Sequence, residues 1–240
     1  SYPLNCAWGD QATAFNNTLL SSVMAGDGAF DLVAGYAATI PGIVSEGIFF
    51  NWNELDYIDQ TKPWWSELVA EELTINGKDF MITGDISLAL WKGMNCIFFN
   101  KRLAENYQTG DLYALVKDGK WTFDVMNRYV KEVWQDLNSN DKADDGDIIG
   151  MRSIPGSPTE HFAFSAGMKF TERSSDGTIS LIKNQERNAR VAEAIYKLFF
   201  ENPGSYVDGG RDLVPQVVDP FINGQLLFCP IRTGTADSFR

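Results

Sequence analysis

One short segment gathers most of the side chains in this sequence that could hold a metal ion. Residues 136–147 read DLNSNDKADDGD, with five aspartates and two asparagines in twelve positions. Counted from the first aspartate, oxygen-bearing side chains fall at positions 1, 3, 5, 9 and 12, namely Asp136, Asn138, Asn140, Asp144 and Asp147, and Lys142 at position 7 offers its backbone carbonyl. This spacing is the ligand pattern of a calcium loop, because calcium takes about six to eight oxygens and a short loop must supply one at nearly every second residue.

Two departures from that pattern leave a second interpretation open. Position 6 is Asp141, where the turn usually requires glycine, and position 12 is an aspartate instead of the longer bidentate glutamate. The residues that follow are typical of a strand, not of a second helix. The segment is therefore either a calcium loop or an acidic turn whose asparagines bond their own backbone. Because its carboxylates crowd one tip instead of flanking a cleft, a catalytic role is not expected.

The single histidine, His161, removes several kinds of catalytic site from consideration. A Ser-His-Asp triad would have to use it, and the sequence has no Gly-x-Ser-x-Gly nucleophile elbow. Zinc sites built on two histidines are excluded in the same way. We expect His161 to lie at the surface or at the edge of a cleft. The cysteines Cys6, Cys96 and Cys229 are too far apart for a zinc site or a disulfide framework, so we expect separate buried thiols, with a Cys6–Cys96 bridge left open.

Composition limits the classes of partner. The chain of 240 residues has a formal net charge of −12 and a pI near 4.5. A nucleic acid requires a basic surface to replace its counterions, so no nucleic-acid partner is expected, and an anionic membrane surface is disfavoured for the same reason. No apolar run approaches the roughly 20 residues of a membrane helix, and no basic-then-apolar signal peptide begins the sequence. The chain is therefore either intracellular or has lost its signal.

The elements that must position these side chains alternate between helical and extended patterns. Apolar residues at spacings of three and four predict helices at 13–25, 100–107, 122–137 (with Thr122 as N-cap) and 188–202. Short apolar runs predict strands at 30–36, 79–83, 95–99, 147–153 and 224–229, and NGK at 76–78 predicts a hairpin-type turn. Strands separated by helices of this length favour βαβ units, so we predict an α/β fold with a mostly parallel sheet.

An ordered series of short motifs runs along nearly the whole chain. The motifs are SSVMAGDGAFDLV (21–33), YIDQTKPWW (57–65), INGKDFMITGDISLALW (75–91), FFNKRLAENY (98–107), DGKWTFDVM (118–126), DLNSNDKADDGDIIG (136–150) and FINGQLLF (221–228). Each is weak alone, but the series in this order resembles the extracellular solute-binding protein family 1, the substrate-binding proteins of carbohydrate ABC transporters of the Firmicutes type.

This resemblance implies a two-lobed periplasmic-binding-protein-like fold of type II. The partial N-terminal lobe would cover residues 1–98 and the partial second lobe residues 99–240, with crossings near 96–101 and again near 230–240. A sugar or oligosaccharide would bind in the cleft between the lobes without covalent chemistry, and hinge closure would present it to the membrane permease. The full-length protein would be lipid-anchored at the extracellular cell surface, with no direct membrane insertion of the present residues.

Members of this family are longer than this chain, which is therefore expected to be a truncated piece with both lobes incomplete. The signal peptide, the lipid-bearing cysteine and the first strand and helix of the N-terminal lobe are expected to be missing. The part that follows the PIRTGTADSFR segment at 230–240 is expected to be missing as well.

A sugar site requires aromatic faces for the apolar C–H patches and planar polar groups for the hydroxyls, and loops at strand ends are where such groups meet. The candidates at those positions are Tyr36, Asp85, Trp91, Glu160 and Arg232, and the expected ligand is a neutral carbohydrate. Core packing explains Trp91 equally well, and a capping or turn role is the alternative for Asp85. Trp64 and Trp65 are expected to be packing anchors, because large aromatic residues bury most of their area.

Two other functions stay open. A glycoside-processing enzyme would need two carboxylates about 5 to 9.5 Å apart across a cleft, for which Asp85 and Glu160 are candidates that no sequence signal pairs. A calcium-dependent adhesion module would instead depend on the acidic loop at 136–147. Turnover of a chromogenic glycoside, or unfolding by a chelator, would distinguish these two from a transport binding protein.

Overall fold

The fold is described from a computed structural model that covers residues 10–37, 39–154, 157–182, 186–207 and 214–239. The chain divides into two compact units, Ser1–Ile86 and Ser87–Arg240. Each unit is described by itself, and the predicted lobes 1–98 and 99–240 stay a prediction.

The first unit is built from short helices and irregular segments. Its helices are α1 (Asp10–Ala25), α2 (Pro41–Val44), a 3₁₀ turn (Trp52–Glu54) and α3 (Glu67–Leu73). The helix predicted at 13–25 is confirmed by α1. The side chain of Ser66 accepts a hydrogen bond from the backbone N–H of Val69 at 3.4 Å, which caps the start of α3.

The strands predicted at 30–36 and 79–83 are wrong. Both segments are irregular, because neither finds a ladder partner among the described residues. Leu32, in the first of them, is 69% exposed. The second makes only scattered bonds, such as the one from the backbone N–H of Ser66 to the carbonyl of Thr83 at 2.9 Å. An apolar run thus takes an extended path here without becoming part of a sheet.

The turn predicted at 76–78 is confirmed. Asn76 and Gly77 have φ values of 50° and 73°, the left-handed pair that a tight hairpin turn needs. Ile75 and Lys78 exchange backbone hydrogen bonds of 2.9 and 3.0 Å across it.

The second unit contains every strand that the described residues form. The strands are β1 (Asn95–Phe99), β2 (Ile149–Ser153), β3 (Thr171–Arg173), β4 (Ile179–Leu181), β5 (Ser205–Val207) and β6 (Leu226–Arg232). The helices are α4 (Leu88–Gly93), α5 (Lys101–Asn106), α6 (Leu112–Lys117), α7 (Phe123–Val133), α8 (Ser157–Ser165), α9 (Glu186–Tyr196, continued as a π-turn over Lys197–Glu201), α10 (Val214–Ile222) and a 3₁₀ helix (Thr233–Phe239).

Four of these strands form one sheet in the order β1-β6-β2-β5, and β3 and β4 form a separate two-stranded ribbon. In the four-stranded sheet, β2 pairs in parallel with both β5 and β6, whereas β1 is antiparallel to β6. The strands predicted at 95–99, 147–153 and 224–229 are therefore confirmed, as is the mostly parallel sheet.

The core of this unit lies where α7 and α9 pack on the sheet. Met126, Val130 and Val133 of α7 recur at spacings of four and three and are at most 1% exposed, and the side chain of Thr122 caps the helix by accepting from the Val125 N–H at 3.3 Å. A second apolar cluster joins α10 to the sheet through Val217. The helices predicted at 100–107 and 188–202 are present, whereas the helix predicted at 122–137 ends at Val133, and Leu137 is 61% exposed.

The chain is thus a mixed α/β protein with a four-stranded, mostly parallel sheet flanked by helices. Of the cysteines, Cys96 is half-buried and Cys229 fully buried, both as free thiols, and Cys6 lies outside the described residues. None of the helices in the described ranges is long and apolar enough to cross a membrane.

Candidate functional site

The strand topology creates a switch point at one edge of the four-stranded sheet. The parallel strands β2, β5 and β6 all end at this edge, and β1 begins there. From β2 the chain leaves toward β5, whereas from β6 it leaves toward α4 on the side of β1. Connections that depart in opposite directions from neighbouring strands define the position where α/β sheets bind ligands.

The pairing of β6 with β2 stops before Pro230. The pairing of β2 with β6 ends at Met151–Phe228, whereas β2 stays paired with β5 as far as Ser153–Val207. One step further along β6 the partner of Ser153 would be Pro230, which has no N–H to donate to a ladder. β6 therefore separates from β2 before the edge is reached.

Asn95 and Arg232 form the end of the β1–β6 ladder at this edge. They face each other in the antiparallel register, so their side chains lie on one face of the sheet as close neighbours. The amide Nδ2 of Asn95 donates to Nε2 of His161 on α8 at 2.7 Å. Glu160 is therefore carried to the same edge as the preceding residue of α8.

The protonation of His161 follows from these contacts. Because Nε2 accepts from Asn95, the ring is neutral with its proton on Nδ1. Burial lowers the pKa of His161 below its ordinary value of 6.5, and the charge of Glu160 opposes that shift only in part. A neutral imidazole beside an amide offers a fixed set of hydrogen-bond partners at pH 7.

Trp91 is held at the same edge by the residues that follow β6. The backbone N–H of Thr233 donates to the carbonyl of Met94 at 2.8 Å, and the Thr233 hydroxyl donates to the carbonyl of Trp91. A side chain on Gly234 would meet Lys92 at 3.1 Å, so the chain passes close against the end of α4. With 51% of its surface exposed, Trp91 is not a core residue.

Three of the five predicted ligand residues, namely Trp91, Glu160 and Arg232, therefore lie on segments that reach the same edge of the second unit. Tyr36 is 53% exposed and lies in the first unit, where its carbonyl accepts from Thr39 at 2.9 Å. Asp85 belongs to the first unit too, is exposed, and donates its backbone N–H to the carbonyl of Trp64 at 2.8 Å.

Sequence reasoning missed Asn95 and Thr233 and gave His161 no binding role. The signal that would have found them is the register of β1 with β6, which places residue 95 opposite residue 232. Trp64 also differs from expectation, since half of its surface is exposed, whereas Trp65 is half-buried and bridges to Gly84.

The acidic loop is closed on itself by hydrogen bonds. The carboxylate of Asp136 accepts from the backbone N–H groups of Ser139, Asn140 and Asp141 at 2.6, 3.2 and 2.8 Å, and these bonds lower its pKa. Asp147 is fully buried and accepts from the Leu137 N–H at 2.9 Å. The loop thereby joins the end of α7 to the start of β2.

Two further predicted calcium ligands, Asn138 and Asn140, use their side-chain oxygens in hydrogen bonds within the loop. The side-chain oxygen of Asn138 accepts from the Asn140 N–H at 3.1 Å, and that of Asn140 from the Lys142 N–H at 2.9 Å. Their amide nitrogens point at Asp144, at 2.9 and 2.6 Å from Oδ2. A cation here would require both amides to turn.

In keeping with this closed arrangement, no group of three or more acidic, histidine or cysteine side chains in the described part of the chain is arranged to hold a metal ion. The calcium loop stays a prediction.

A separate cavity of about 120 Å³ lies between α7 and α9, lined by Phe123, Asp124, Asn127, Arg190, Glu193, Ala194 and Lys197. Its volume is well below the roughly 300 Å³ at which ligand pockets begin. Its cationic groups are also committed, since Lys197 pairs with Glu193 at 2.7 Å and Arg190 with Glu186 at 3.7 Å. The sheet edge is the stronger candidate.

Comparison with known protein families gives no match for the chain, and a search of curated proteins gives none either. The argument for function therefore depends on the residues at the sheet edge.

Proposed function

We propose that the chain is the substrate-binding component of a carbohydrate ABC transporter, and that the edge formed by β1, β6, α4 and α8 is part of its sugar site. The observation that carries this proposal is that Asn95, paired with Arg232 across β1 and β6, contacts His161 of α8, while the carbonyl of the half-exposed Trp91 accepts from Thr233 directly after β6. The series of motifs that resembles the solute-binding family supports it independently.

The chemistry of this edge suits a sugar. An indole face covers the apolar C–H side of a pyranose ring, and planar amide, imidazole and guanidinium groups hold its hydroxyls in fixed directions. The contact between Asn95 and His161 fixes the directions of the amide and the imidazole before a ligand arrives, which reduces the entropic cost of binding.

In this proposal the fold is of the two-lobed type II class. Tyr36 and Asp85, the two predicted ligand residues of the first unit, stay part of this proposal. The protein would act without covalent chemistry, at the extracellular cell surface, and would present its sugar to the permease subunits. Calcium in the acidic loop would be structural.

The test is a thermal-shift and calorimetric screen of the 240-residue chain against neutral sugars and sugar acids, with and without calcium. A ligand at 100 times its Kd stabilises the folded chain by about 2.7 kcal/mol, so one sugar class is expected to raise the Tm by several degrees. Trp91→Ala is expected to abolish that shift. Trp64→Ala, which removes an equally exposed indole, is the matched control.

The proposal fails if no sugar shifts the Tm of the chain, or if Trp91→Ala binds as tightly as the parent. Turnover of a chromogenic glycoside would replace it with the glycosidase hypothesis. A rise in Tm with calcium alone, reversed by a chelator, would establish the metal site without bearing on the sugar.

A further inference from the structure

The sheet edge carries positive charge in a strongly acidic protein. The three segments that meet there, 91–95, 160–161 and 232–234, contain Lys92 and Arg232 but only one carboxylate, Glu160. The whole chain has a formal net charge of −12. A locally cationic edge on such a surface differs from its surroundings in sign, and charge of one sign lining a site attracts ligands of the other sign.

The guanidinium of Arg232 is available to a ligand. Its side chain is exposed, and it forms no ion pair with any residue that the structure describes. Arg152, one of the other arginines, is in contrast buried against Asp145 at 2.5 Å and stacked on the ring of Tyr206. A structural role of that kind is not visible for Arg232.

None of the salt bridges within the described residues neutralises the charge of Arg232. Asn95, opposite it on β1, is an uncharged amide, and His161 beyond Asn95 accepts a hydrogen bond as a neutral ring. Glu160 approaches no described cation within ion-pair distance. Lys92 is exposed at the end of α4 and places a second positive charge at the same edge.

A guanidinium is specific for a planar, two-oxygen anion. It presents parallel N–H donors that match a carboxylate bidentately, and such charge-assisted pairs are about twice as strong as neutral hydrogen bonds. A neutral sugar needs no full positive charge among its partners. Building on the proposed function, we infer that the sugar bound at this edge is a sugar acid of the uronic class, whose carboxylate is held by Arg232 while its ring lies on Trp91.

The test compares matched ligands by calorimetry on the 240-residue chain: glucose with glucuronate, and galactose with galacturonate, at low and at physiological salt. At least one uronate is expected to bind roughly ten- to a hundredfold more tightly than its neutral parent. Added salt is expected to weaken that binding and to leave the neutral parent unaffected.

Arg232→Gln is expected to reduce the preference for the uronate to about onefold. Arg173→Gln removes the same charge from β3, which pairs with β4 in the separate ribbon. This variant is expected to keep the parent's preference for the uronate. Arg232→Lys retains the charge without the bidentate geometry and is expected to bind the uronate with an intermediate affinity. Because Arg232→Lys is the milder change, it provides the result if Arg232→Gln does not fold.

Equal or tighter binding of the neutral parent would overturn this inference and leave the proposed function standing. The same holds if glucose 6-phosphate binds as tightly as the uronate through Arg232, because the site would then recognise any anion. If neither neutral sugars nor uronates bind, both proposals are overturned.

Discussion

The two compact units differ in what becomes of their apolar side chains. In the second unit, Met151 and Leu227 lie on paired strands and have no exposed surface. In the first unit, Phe50 and Ile86 are each 80% exposed, and Tyr57 is fully exposed. Both regions contain apolar runs of strand length, but only the second brings such runs from distant parts of the chain into one sheet.

The difference teaches that an apolar run becomes a strand only if a partner satisfies its backbone. Residues 95–99 and 228–232 are far apart in sequence, and each is the other's ladder partner. Residues 30–36 and 79–83 have no such partner among the described residues, and they remain irregular. The unpaired backbone of an extended segment is instead satisfied locally or by water.

The largest expected difference between the two units comes from the same substitution, phenylalanine to alanine, made once in each unit. Phe199 is 1% exposed and stacks edge-on against Phe162 at 5.3 Å, so Phe199→Ala is expected to cost about 3–5 kcal/mol of unfolding free energy. Phe50→Ala removes a side chain that is 80% exposed and is expected to stay within about 0.5 kcal/mol of the parent. Urea unfolding followed by circular dichroism measures both.

A loss of more than about 2 kcal/mol in Phe50→Ala would break the comparison, since it would require Phe50 to be buried in the folded protein. A small loss in Phe199→Ala would show instead that the core between α7 and α9 does not limit stability.

A smaller loss of stability is expected when alanine replaces a glycine that lies against a backbone carbonyl. A methyl group on Gly150 would run into the carbonyl of Val130 on α7, and one on Gly84 would run into the carbonyl of Trp64. Gly150→Ala and Gly84→Ala are therefore each expected to cost about 1–3 kcal/mol. Hydrogen exchange read by mass spectrometry assigns each loss to the unit that contains the glycine.

Two glycines with free space around them provide the controls for these alanine variants. Gly93 in the second unit and Gly42 in the first have nothing within 4 Å of an added methyl, so their alanine variants are expected to exchange like the parent. If Gly84→Ala left exchange in the first unit unchanged, the approach of residue 84 to residue 64 would not contribute to the stability of that unit.

Local sequence signals predicted much of this fold. The N-cap at Thr122 and the apolar stripe of α7 are encoded within fifteen residues, and the turn at Asn76–Lys78 within three, so both were predicted correctly. The pairings of the four-stranded sheet connect segments that are distant in the sequence, such as Asn95 with Arg232 and Met151 with Ser205, and no local pattern contains that information.

The candidate site was predicted only in part for the same reason. Trp91 precedes one predicted strand and Arg232 follows another, and their residue types are typical of binding sites. Asn95 is an ordinary polar residue until the β1–β6 register places it opposite Arg232. His161 gained a role only when its ring nitrogen was found at Asn95. The chemistry of single residues was readable, whereas their meeting required the tertiary structure.

The smallest expected effect is a pH dependence of stability that comes from the single histidine, which belongs to the second unit. Because burial lowers the pKa of His161 in the folded chain below its ordinary 6.5, the unfolded chain takes up a proton first as the pH falls. The second unit is therefore expected to lose stability as the pH drops from about 7 through 6.5, until the folded-state pKa is passed and the loss levels off. Hydrogen bonds lower the pKa values of Asp136, Asp144 and Asp176 further below this window.

His161→Gln keeps a hydrogen-bond acceptor for Asn95 but cannot titrate, so its unfolding free energy is expected to be flat between pH 7 and 5. The protection of amides in the first unit of the parent, after correction for the intrinsic pH dependence of exchange, is expected to be equally flat, since no histidine lies there. If the parent became more stable on acidification over this range, His161 would have to gain a charged partner in the folded state, and its assignment as a neutral acceptor beside Asn95 would be wrong.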